Sequence, residues 1–308
     1  MKINTNVSSL TAQESASNTN KAITNSLEKL SSGLRVNKAA DDASGLAIAD
    51  KLRTQVTSVN QGIANGNSAV ALLQIADKSM SEQSNILDTI KAKLIQANTD
   101  TTSTAGRTAI AKDVAKLLEQ LNNIAEQTNY NGTSLLQLGK TASGSATSIT
   151  SLAVGRSATK GLSFQVGEGT GDIISTKTIQ SNVLGLGLTA LASAAVAGAE
   201  LSAGATAGTS GVFTRAMASA GQAAIDKAIT TLNGYRGDIG STQNQIESAI
   251  RNLSTQATNI KNAESVIRDV DYAAESANFN KLNIISQAGS YAISQANAVQ
   301  QNVLKLLQ

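Results

Sequence analysis

The sequence lacks four residue types: its 308 residues include no cysteine, proline, histidine or tryptophan. The absence of cysteine excludes disulfides, thiolate metal ligands and thiol nucleophiles, and the absence of histidine excludes imidazole-based catalysis. The absence of proline lets helices run without interruption and removes slow X–Pro isomerisation from folding. Nothing in the sequence requires a metal or another cofactor, and an enzyme is the least favoured class of function.

Aromatic residues are also scarce, since the chain has only four Tyr and three Phe. The hydrophobic fraction of 41% therefore depends on Ala, Leu, Ile and Val. Because aromatic side chains supply much of the buried area in broad globular cores, this composition favours thin aliphatic seams between long helices.

The charge and hydropathy patterns argue against two kinds of partner. The net charge is only +3, and the basic residues are interleaved with acidic ones, so no nucleic-acid partner is indicated. No run approaches the roughly 18 apolar residues of a membrane span, so no membrane partner is expected. The first residues, MKINTNVSSLT, lack the apolar region of a cleaved signal peptide. By composition alone, the protein stays inside the cell or leaves it by another route.

Two long stretches carry an apolar position at every seventh residue. The first contains Leu52, Val59, Gly66, Leu73, Met80, Leu87 and Leu94, and the second contains Ile225, Leu232, Ile239, Ile246, Leu253, Ile260 and Ile267. A sustained heptad repeat predicts helices that pack along their length in a left-handed supercoil. We therefore expect two rods that pack against each other within the chain. An ordinary helical bundle is the alternative, although its helices would usually break every 10–20 residues or so.

Both ends of the chain carry apolar residues in steps of three and four. The N-terminal set is Ile3, Val7, Leu10, Ile23, Leu27, Leu30 and Leu34; the C-terminal set is Ile285, Ala288, Ala292, Ala296, Val299, Val303 and Leu306. We predict that the large residues of both sets, together with Ile293 and Leu307, mediate self-assembly. This spacing predicts two terminal helices. Pairing of the two helices covers part of each stripe, and we expect other copies of the chain to bury the rest.

The helical pattern breaks in the segment SSGLRVNKAADDASG and again in the middle of the chain. Gly33 can close one helix, and Asp41 or Asp42 can cap the next. A third helix carries apolar residues from Ile110 to Ile124, and Asn131-Gly132 supplies a turn. LSFQV (residues 162–166) and IISTKTI (173–179) flank a glycine-rich turn of six residues, GEGTGD, and predict a β-hairpin. Residues 186–211 are rich in small side chains and fit a short helix or a loop, with a tolerant surface insertion favoured.

Three further motifs carry little functional weight. GLGLTA, residues 185–190, loosely matches a dinucleotide-binding glycine pattern but lacks the βαβ context. Asp269 and Asp271 could suggest a metal site, although carboxylates on a helix face or at a helix cap are the favoured interpretation. The glycosylation sequons at Asn6, Asn131 and Asn252 matter only in a eukaryotic secretory pathway.

Several long motifs resemble those of one protein family. LSSGLRVNKAADDASGLAIADKLR (Leu30–Arg53) resembles the N-terminal signature of bacterial flagellin, and IRDVDYAAESANFNKLNIISQAGSYAISQANAVQQNVLKLLQ (Ile267–Gln308) resembles its C-terminal signature. INTNVSSL and QTNYNGTSLL also match. The resemblance covers roughly residues 1–140 and 212–308 and continues more weakly through the predicted hairpin.

The resemblance implies a mainly α fold with long antiparallel coiled-coil rods, a small β-hairpin region and termini that pair in a coiled coil. Residues 1–42 with 268–308 would form the terminal coiled-coil domain. Residues 43–185 with 212–267 would form the rod domain, with its hairpin near 162–179. Residues 186–211 would be a short surface loop or helix in place of the outer domains of larger relatives.

The resemblance also implies a role and a set of partners. The protein would be an extracellular structural subunit that self-assembles into the flagellar filament for swimming motility, exported without a cleaved signal peptide. An export chaperone would cover the C-terminal stripe near Ile284–Leu307, and the filament cap and the hook-junction proteins would contact the polymer. Recognition by a toll-like receptor would be poor, because Thr89, Ala92 and Lys93 replace the Arg and the Glu-Leu pair of recognised relatives.

Two other roles stay open from the sequence. A hook–filament junction protein of the same family would share both terminal signatures. A non-flagellar coiled-coil surface protein would use the heptads only as a stalk.

Overall fold

The computed structural model describes residues 6–137, 161–199 and 213–306, without the side chains of residues 199, 300 and 302–306. The helices are α1 (Val7–Ser32), α2 (Ala43–Ala97), α3 (Thr104–Gln127), α4 (Thr189–Ala199), α5 (Arg215–Arg268) and α6 (Tyr272–Leu306). The strands are β1 (Asn129–Tyr130), β2 (Thr133–Ser134), β3 (Ser163–Gln165) and β4 (Ile173–Ser175). The fold is mainly α with small antiparallel strand pairs, as predicted.

Capping residues explain where several helices begin and end. The Asn6 side chain accepts a hydrogen bond from the Ser9 N–H at 3.1 Å and begins α1. Gly33, with φ of 73°, ends this helix in the left-handed conformation that glycine adopts readily. Asp42 accepts from the Gly45 N–H at 2.8 Å at the start of α2. Of the two predicted caps, it is therefore Asp42 that caps this helix.

The chain divides into two compact units. The terminal unit contains residues 1–58 and 255–308, and the central unit contains residues 59–254. Helices α2 and α5 contribute residues to both. The domain boundary predicted at 42/43 coincides with the start of α2, and the boundary predicted at 267/268 lies one residue before the end of α5. Both boundaries stay predictions.

In the central unit, α2 and α5 pack side by side in antiparallel directions. Gly66 lies against Ile250, so that a Cβ at this glycine would be only 2.9 Å from the Ile250 Cγ1. Further along α2, the Asp77 Oδ1 accepts a hydrogen bond from the Arg236 Nε of α5 at 2.8 Å. Residue numbers thus rise along one helix as they fall along the other.

Most of the predicted rod-packing residues lie in the core of the central unit. The buried ones are Val59, Leu73, Met80, Leu87, Ile225, Leu232, Ile239, Ile246 and Leu253. Leu52, Ile260 and Ile267, which belong to the terminal unit, are half-buried. Their role in intrachain packing stays a prediction that this burial supports.

The stretch that begins at residue 186 is not a surface insertion where the structure describes it. Helix α4 buries Leu191, Ala192 and Ala195, and Gly198 lies against Ala111 of α3. The prediction of a surface element was wrong for this helix. Its alanines and glycine were interpreted as filler, but such small side chains allow helices to approach each other closely. Residues 200–211 lie outside the described residues.

The predicted hairpin is present in the central unit, although its second strand is shorter than predicted. Strands β3 and β4 pair antiparallel, with Phe164 opposite Ile174. Strand β4 ends at Ser175 rather than at Ile179, because the chain then turns inward and buries Ile179 and later residues. The β1–β2 turn is also as expected, with Asn131 and Gly132 at positive φ.

Buried amides that the sequence did not single out hold this returning segment against α2 and α3. The Gln83 Nε2 donates to the backbone carbonyls of Leu121 and Ser181 at 3.2 and 3.1 Å. The Asn122 Oδ1 accepts from the Val183 N–H at 2.9 Å. Because unpaired polar groups are costly in a core, these bonds specify one register for the segment.

In the terminal unit, α1 and α6 pack antiparallel. The Asn6 Nδ2 donates to the Ala296 carbonyl at 3.2 Å, near the start of α1 and the later part of α6. At the opposite end of the pair, Ser26 donates to Glu275. Two linkers complete this unit: the N-linker (residues 33–42, between α1 and α2) and the C-linker (residues 269–271, between α5 and α6).

Candidate assembly surface

The seam between α1 and α6 is built from small and polar side chains. Gly289 lies against Ala16, with 3.9 Å between the position of a Cβ and the Ala16 Cβ. The Ser286 Oγ donates to the Asn20 Oδ1 at 3.3 Å. Ser26 is the one buried residue that α1 contains. Because such side chains bury little apolar area, this seam alone supplies little hydrophobic stabilisation.

The large apolar side chains of the two helices lie mostly outside that seam. On α1, Val7 and Leu10 are 63% and 55% exposed, and Leu27 is exposed to a similar extent. On α6, Ile285 and Val299 are 42% and 53% exposed. These five residues were predicted to mediate self-assembly, and the structure leaves them open in the single chain.

The other predicted self-assembly residues fall into two groups. Ile23, Leu30, Leu34 and Ile293 are half-buried within the terminal unit, so their side chains contribute to packing inside the chain. Ile3 and Leu307 lie outside the described residues, as do the side chains of Val303 and Leu306 in the last turns of α6.

Two exposed apolar residues between residues 282 and 304 of α6 were not predicted from the sequence. Ile284 is 67% exposed and Tyr291 is 79% exposed. Both lie outside the single stripe that the three- and four-residue spacing picked out. The signal that could have found them is the absence of Asp, Glu, Lys and Arg between residues 282 and 304. A helix without charged residues over this length has no strongly solvated face.

We define the assembly surface as the exposed large apolar residues of α1 and of residues 282–304 of α6, the part of α6 without charged residues. Its members are Val7, Leu10, Leu27, Ile284, Ile285, Tyr291 and Val299. Apolar side chains that are exposed together usually mark interaction sites. This arrangement is therefore suited to bind another apolar surface.

The electrostatics of the N-linker are local. The Asp41 carboxylate accepts hydrogen bonds from the backbone N–H groups of Lys38 and Asn37, which lower its pKa from 3.8. The hydrogen bond from the Lys38 ammonium to Glu28 raises the pKa of that lysine. Both shifts favour the charged forms, so near neutral pH the N-linker contains one ion pair, Lys38–Glu28, and one carboxylate, Asp41, that accepts backbone hydrogen bonds.

The two aspartates considered as metal ligands serve the helix ends. The Asp271 Oδ1 accepts from the Ala273 N–H at 2.9 Å and caps α6. Asp269 accepts from the Ser265 hydroxyl at 2.6 Å. In residues 6–137, 161–199 and 213–306, no group of three acidic side chains is placed to hold a metal ion. No helix within these ranges is long and apolar enough to cross a membrane.

The predicted receptor-site counterpart lies on α2 in the central unit. Thr89 is exposed, and its hydroxyl donates to the Asn85 carbonyl of the same helix at 2.9 Å. Ala92 is exposed. The Lys93 Nζ lies 2.7 Å from the Asp113 Oδ2 on α3, so its charge is partly neutralised within the chain.

Comparison with known proteins identifies relatives of the whole chain. The Bacterial flagellin N-terminal helical region matches residues 3–141, and the Bacterial flagellin C-terminal helical region matches residues 222–307. The flagellin of Bacillus subtilis is 33% identical over 317 residues, with all of both chains covered. The flagellar filament 33 kDa core protein of Treponema phagedenis is 30% identical over 311 residues, again with all of both chains covered.

A solved structure shows a related fold. The structure of a flagellar hook-associated protein from Vibrio parahaemolyticus matches with a TM-score of 0.57 at 13% identity. The match covers 74% of this chain and 99% of that one. At this identity the likeness concerns the fold alone.

Proposed function

This chain belongs to the bacterial flagellin family and is a structural subunit of the flagellar filament, and we propose that it polymerises through the assembly surface on α1 and α6. The observation that carries the proposal is the exposure of Ile284, Ile285 and Val299 on a helix stretch without charges. Each fully buried Val, Leu or Ile contributes about 1.5–3 kcal/mol. Contacts with neighbouring copies would therefore favour assembly strongly.

The geometry of the surface favours an open polymer. The exposed residues belong to two different helices, and we propose that those of one helix contact a different part of the surface on the next copy. Contacts between different surfaces generate helical polymers unless the rotation closes a ring. The thin seam between α1 and α6 leaves most of the apolar area available for these contacts.

Deletion of residues Asn297–Gln308 tests this proposal. The truncated chain loses Val299 and the last turns of α6, and we expect it to fail to extend filaments from preformed seeds. A deletion of the same length in the Ser/Thr-rich stretch 143–154 is the matched control and should leave seeded growth intact. Normal growth of the chain that lacks 297–308, measured by light scattering and electron microscopy, would contradict the proposal.

The proposal extends to location and partners. We propose an extracellular location for this protein, in the flagellar filament. An export chaperone would cover the C-terminal stripe near Ile284–Leu307 before secretion, because the same apolar side chains must be kept from polymerising in the cell. The filament cap and the hook-junction proteins would contact the ends of the polymer. A non-enzymatic, structural role agrees with the family and with the absence of His and Cys.

We also propose that recognition by a toll-like receptor is weak. Thr89 lacks the bidentate donor of an arginine, and Lys93 places a charge, paired with Asp113, where an apolar contact is expected. The triple change Thr89→Arg, Ala92→Glu and Lys93→Leu should raise the response of receptor-reporter cells. Replacement of the exposed Lys78 by Leu on the same helix is the control for nonspecific effects. Full potency of the unmodified protein would refute the proposal.

The alternatives left open by the sequence are not favoured. The relatives matched over their full length are filament proteins, whereas the hook-associated structure shares only the fold. Electron microscopy of the purified protein separates the roles, since a junction protein does not form long filaments by itself.

A further inference from the structure

The two linkers of the terminal unit are joined to each other by backbone hydrogen bonds. Leu34 and Asp269 form an isolated antiparallel β-bridge. The Val270 N–H donates to the Gly33 carbonyl at 3.0 Å, and the Arg35 N–H donates to the Arg268 carbonyl at 2.6 Å. The N-linker and the C-linker are therefore held together by backbone pairing, although they are far apart in sequence.

A side-chain bond reinforces this backbone pairing. The Arg35 Nη2 donates to the Ile267 carbonyl at 2.6 Å, at the last turn of α5. The guanidinium thus satisfies a carbonyl that the helix end leaves without an intrahelical partner. Arg35 is exposed, so its substitution does not open a cavity.

The N-linker is also fixed to the end of α1. Glu28 accepts from the Asn37 Nδ2 at 2.9 Å and from the Lys38 Nζ at 2.5 Å. Asp41 accepts from the backbone N–H groups of the same two residues at 3.2 and 3.0 Å. These bonds give the N-linker a defined structure rather than that of a free hinge. A displacement of the N-linker therefore also displaces the end of α1.

The C-linker is fixed in a similar way. Asp269 accepts from the Ser265 hydroxyl on α5, and Asp271 caps α6. The Arg268 side chain is mostly buried, and its Nη1 lies 4.0 Å from the Asp50 Oδ1 on α2. The direction in which α6 continues from α5 is thus fixed by contacts with α2 and with the N-linker.

We propose that the paired linkers form a clasp that makes the ordering of α1 and α6 a single cooperative step. The clasp bonds join the N-linker to the C-linker and to the last turn of α5, where the C-linker starts, so an ordered N-linker favours an ordered C-linker and the reverse. The two terminal helices take their positions from these linkers. In the filament, a subunit would then dock both of its ends together rather than one after the other.

Two substitutions on opposite linkers test the clasp. Arg35→Ala removes the side-chain bond from the N-linker, and Val270→Pro removes the backbone donor of the C-linker. Arg35→Lys, which keeps a donor, and Ala39→Pro are the matched controls. Ala39 occupies the second position of the Lys38–Asp41 turn, a position that proline favours; within the described ranges its N–H makes no hydrogen bond.

Hydrogen exchange in the full-length soluble subunit is the primary readout. We expect Arg35→Ala to accelerate exchange in α6 as well as in α1, and Val270→Pro to accelerate exchange in α1 as well as in α6. Exchange in α3 of the central unit should not change, which shows that each variant folds. Faster exchange confined to the helix beside the substituted linker would overturn the proposal.

Polymerisation provides a second readout that rests on the proposed function. Each single variant should raise the critical concentration by roughly 2- to 12-fold, the effect of one lost hydrogen bond. The double variant should be no worse than the weaker-polymerising single variant, because both changes open the same clasp. Multiplicative effects would overturn the clasp. A wild-type chain that never polymerises would instead refute the proposed function, while the exchange experiment would still decide the clasp.

Discussion

The replacement of Ile284 by alanine tests the assembly surface at a single side chain. Ile284 is 67% exposed in the terminal unit, so the substitution should hardly change the stability of the monomer. The filament, in contrast, should lose the apolar contact that this side chain makes with a neighbouring subunit. The substitution therefore separates assembly from folding.

The expected magnitude follows from the exposed fraction. An Ile→Ala change removes three carbon atoms, which corresponds to about 2.4 kcal/mol at ~0.8 kcal/mol per carbon. With 67% of the residue open to a neighbour, about 1.6 kcal/mol of contact energy is lost from the filament. This loss corresponds to an increase of about 15-fold in critical concentration. For Ile285, which is 42% exposed, the same reasoning gives about 1.0 kcal/mol and about 5-fold.

The assay combines seeded polymerisation with thermal unfolding. Ile284→Leu keeps the apolar volume and should polymerise like the unmodified chain. Ile293→Ala truncates a half-buried residue of the α1–α6 pair and should lower the stability of the terminal unit as well as assembly. An unchanged critical concentration for Ile284→Ala would refute the reasoning, because this side chain would then face solvent in the filament.

Two further predictions concern the central unit and the linkers. Gly62→Ala should destabilise the protein by about 1–3 kcal/mol in chemical unfolding, because its Cβ would lie 2.5 Å from a backbone carbonyl oxygen of the hairpin. Gly234 on α5 faces open space, so Gly234→Ala should instead stabilise the protein by up to about 1 kcal/mol. The same change in the free energy of unfolding for both variants would contradict the packing described. The pKa of Asp41 is lowered in the folded chain. The carboxylate therefore stabilises the N-linker above its unfolded pKa of 3.8, and this stabilisation is lost as the pH falls through the folded pKa. Amide protection in the N-linker should therefore fall in acid below pH 3.8, and Asp41→Ala, which removes the acceptor, should show low protection already at neutral pH.

The sequence predicted the long helices well because their signals are local and repeated. Seven-residue apolar spacing marks α2 and α5, and the side chains at Leu73 and Ile239 are indeed buried. Gly33 and Asp42 mark helix ends through backbone conformation and capping. These features depend on neighbouring residues alone, so they are visible without tertiary structure.

The candidate site was only partly predictable because it depends on which face a helix turns inward. The spacing pointed to Ile285 and Val299 but not to Ile284 and Tyr291. The inward face of α6 is lined by small residues such as Gly289, which an apolar pattern does not detect. The pattern of large apolar residues also failed to detect the small buried residues of α4, and this helix was therefore wrongly assigned to the surface. The clasp likewise depends on backbone groups, which every sequence provides.

A high-resolution helical reconstruction of the filament would show directly whether the assembly surface is buried between subunits. We expect Val7, Leu10, Ile284, Ile285 and Val299 to contact neighbouring subunits, with little of their side-chain surface left open to solvent. A filament in which these side chains remain as exposed as they are in the single chain, and the subunits meet through other surfaces, would contradict this expectation.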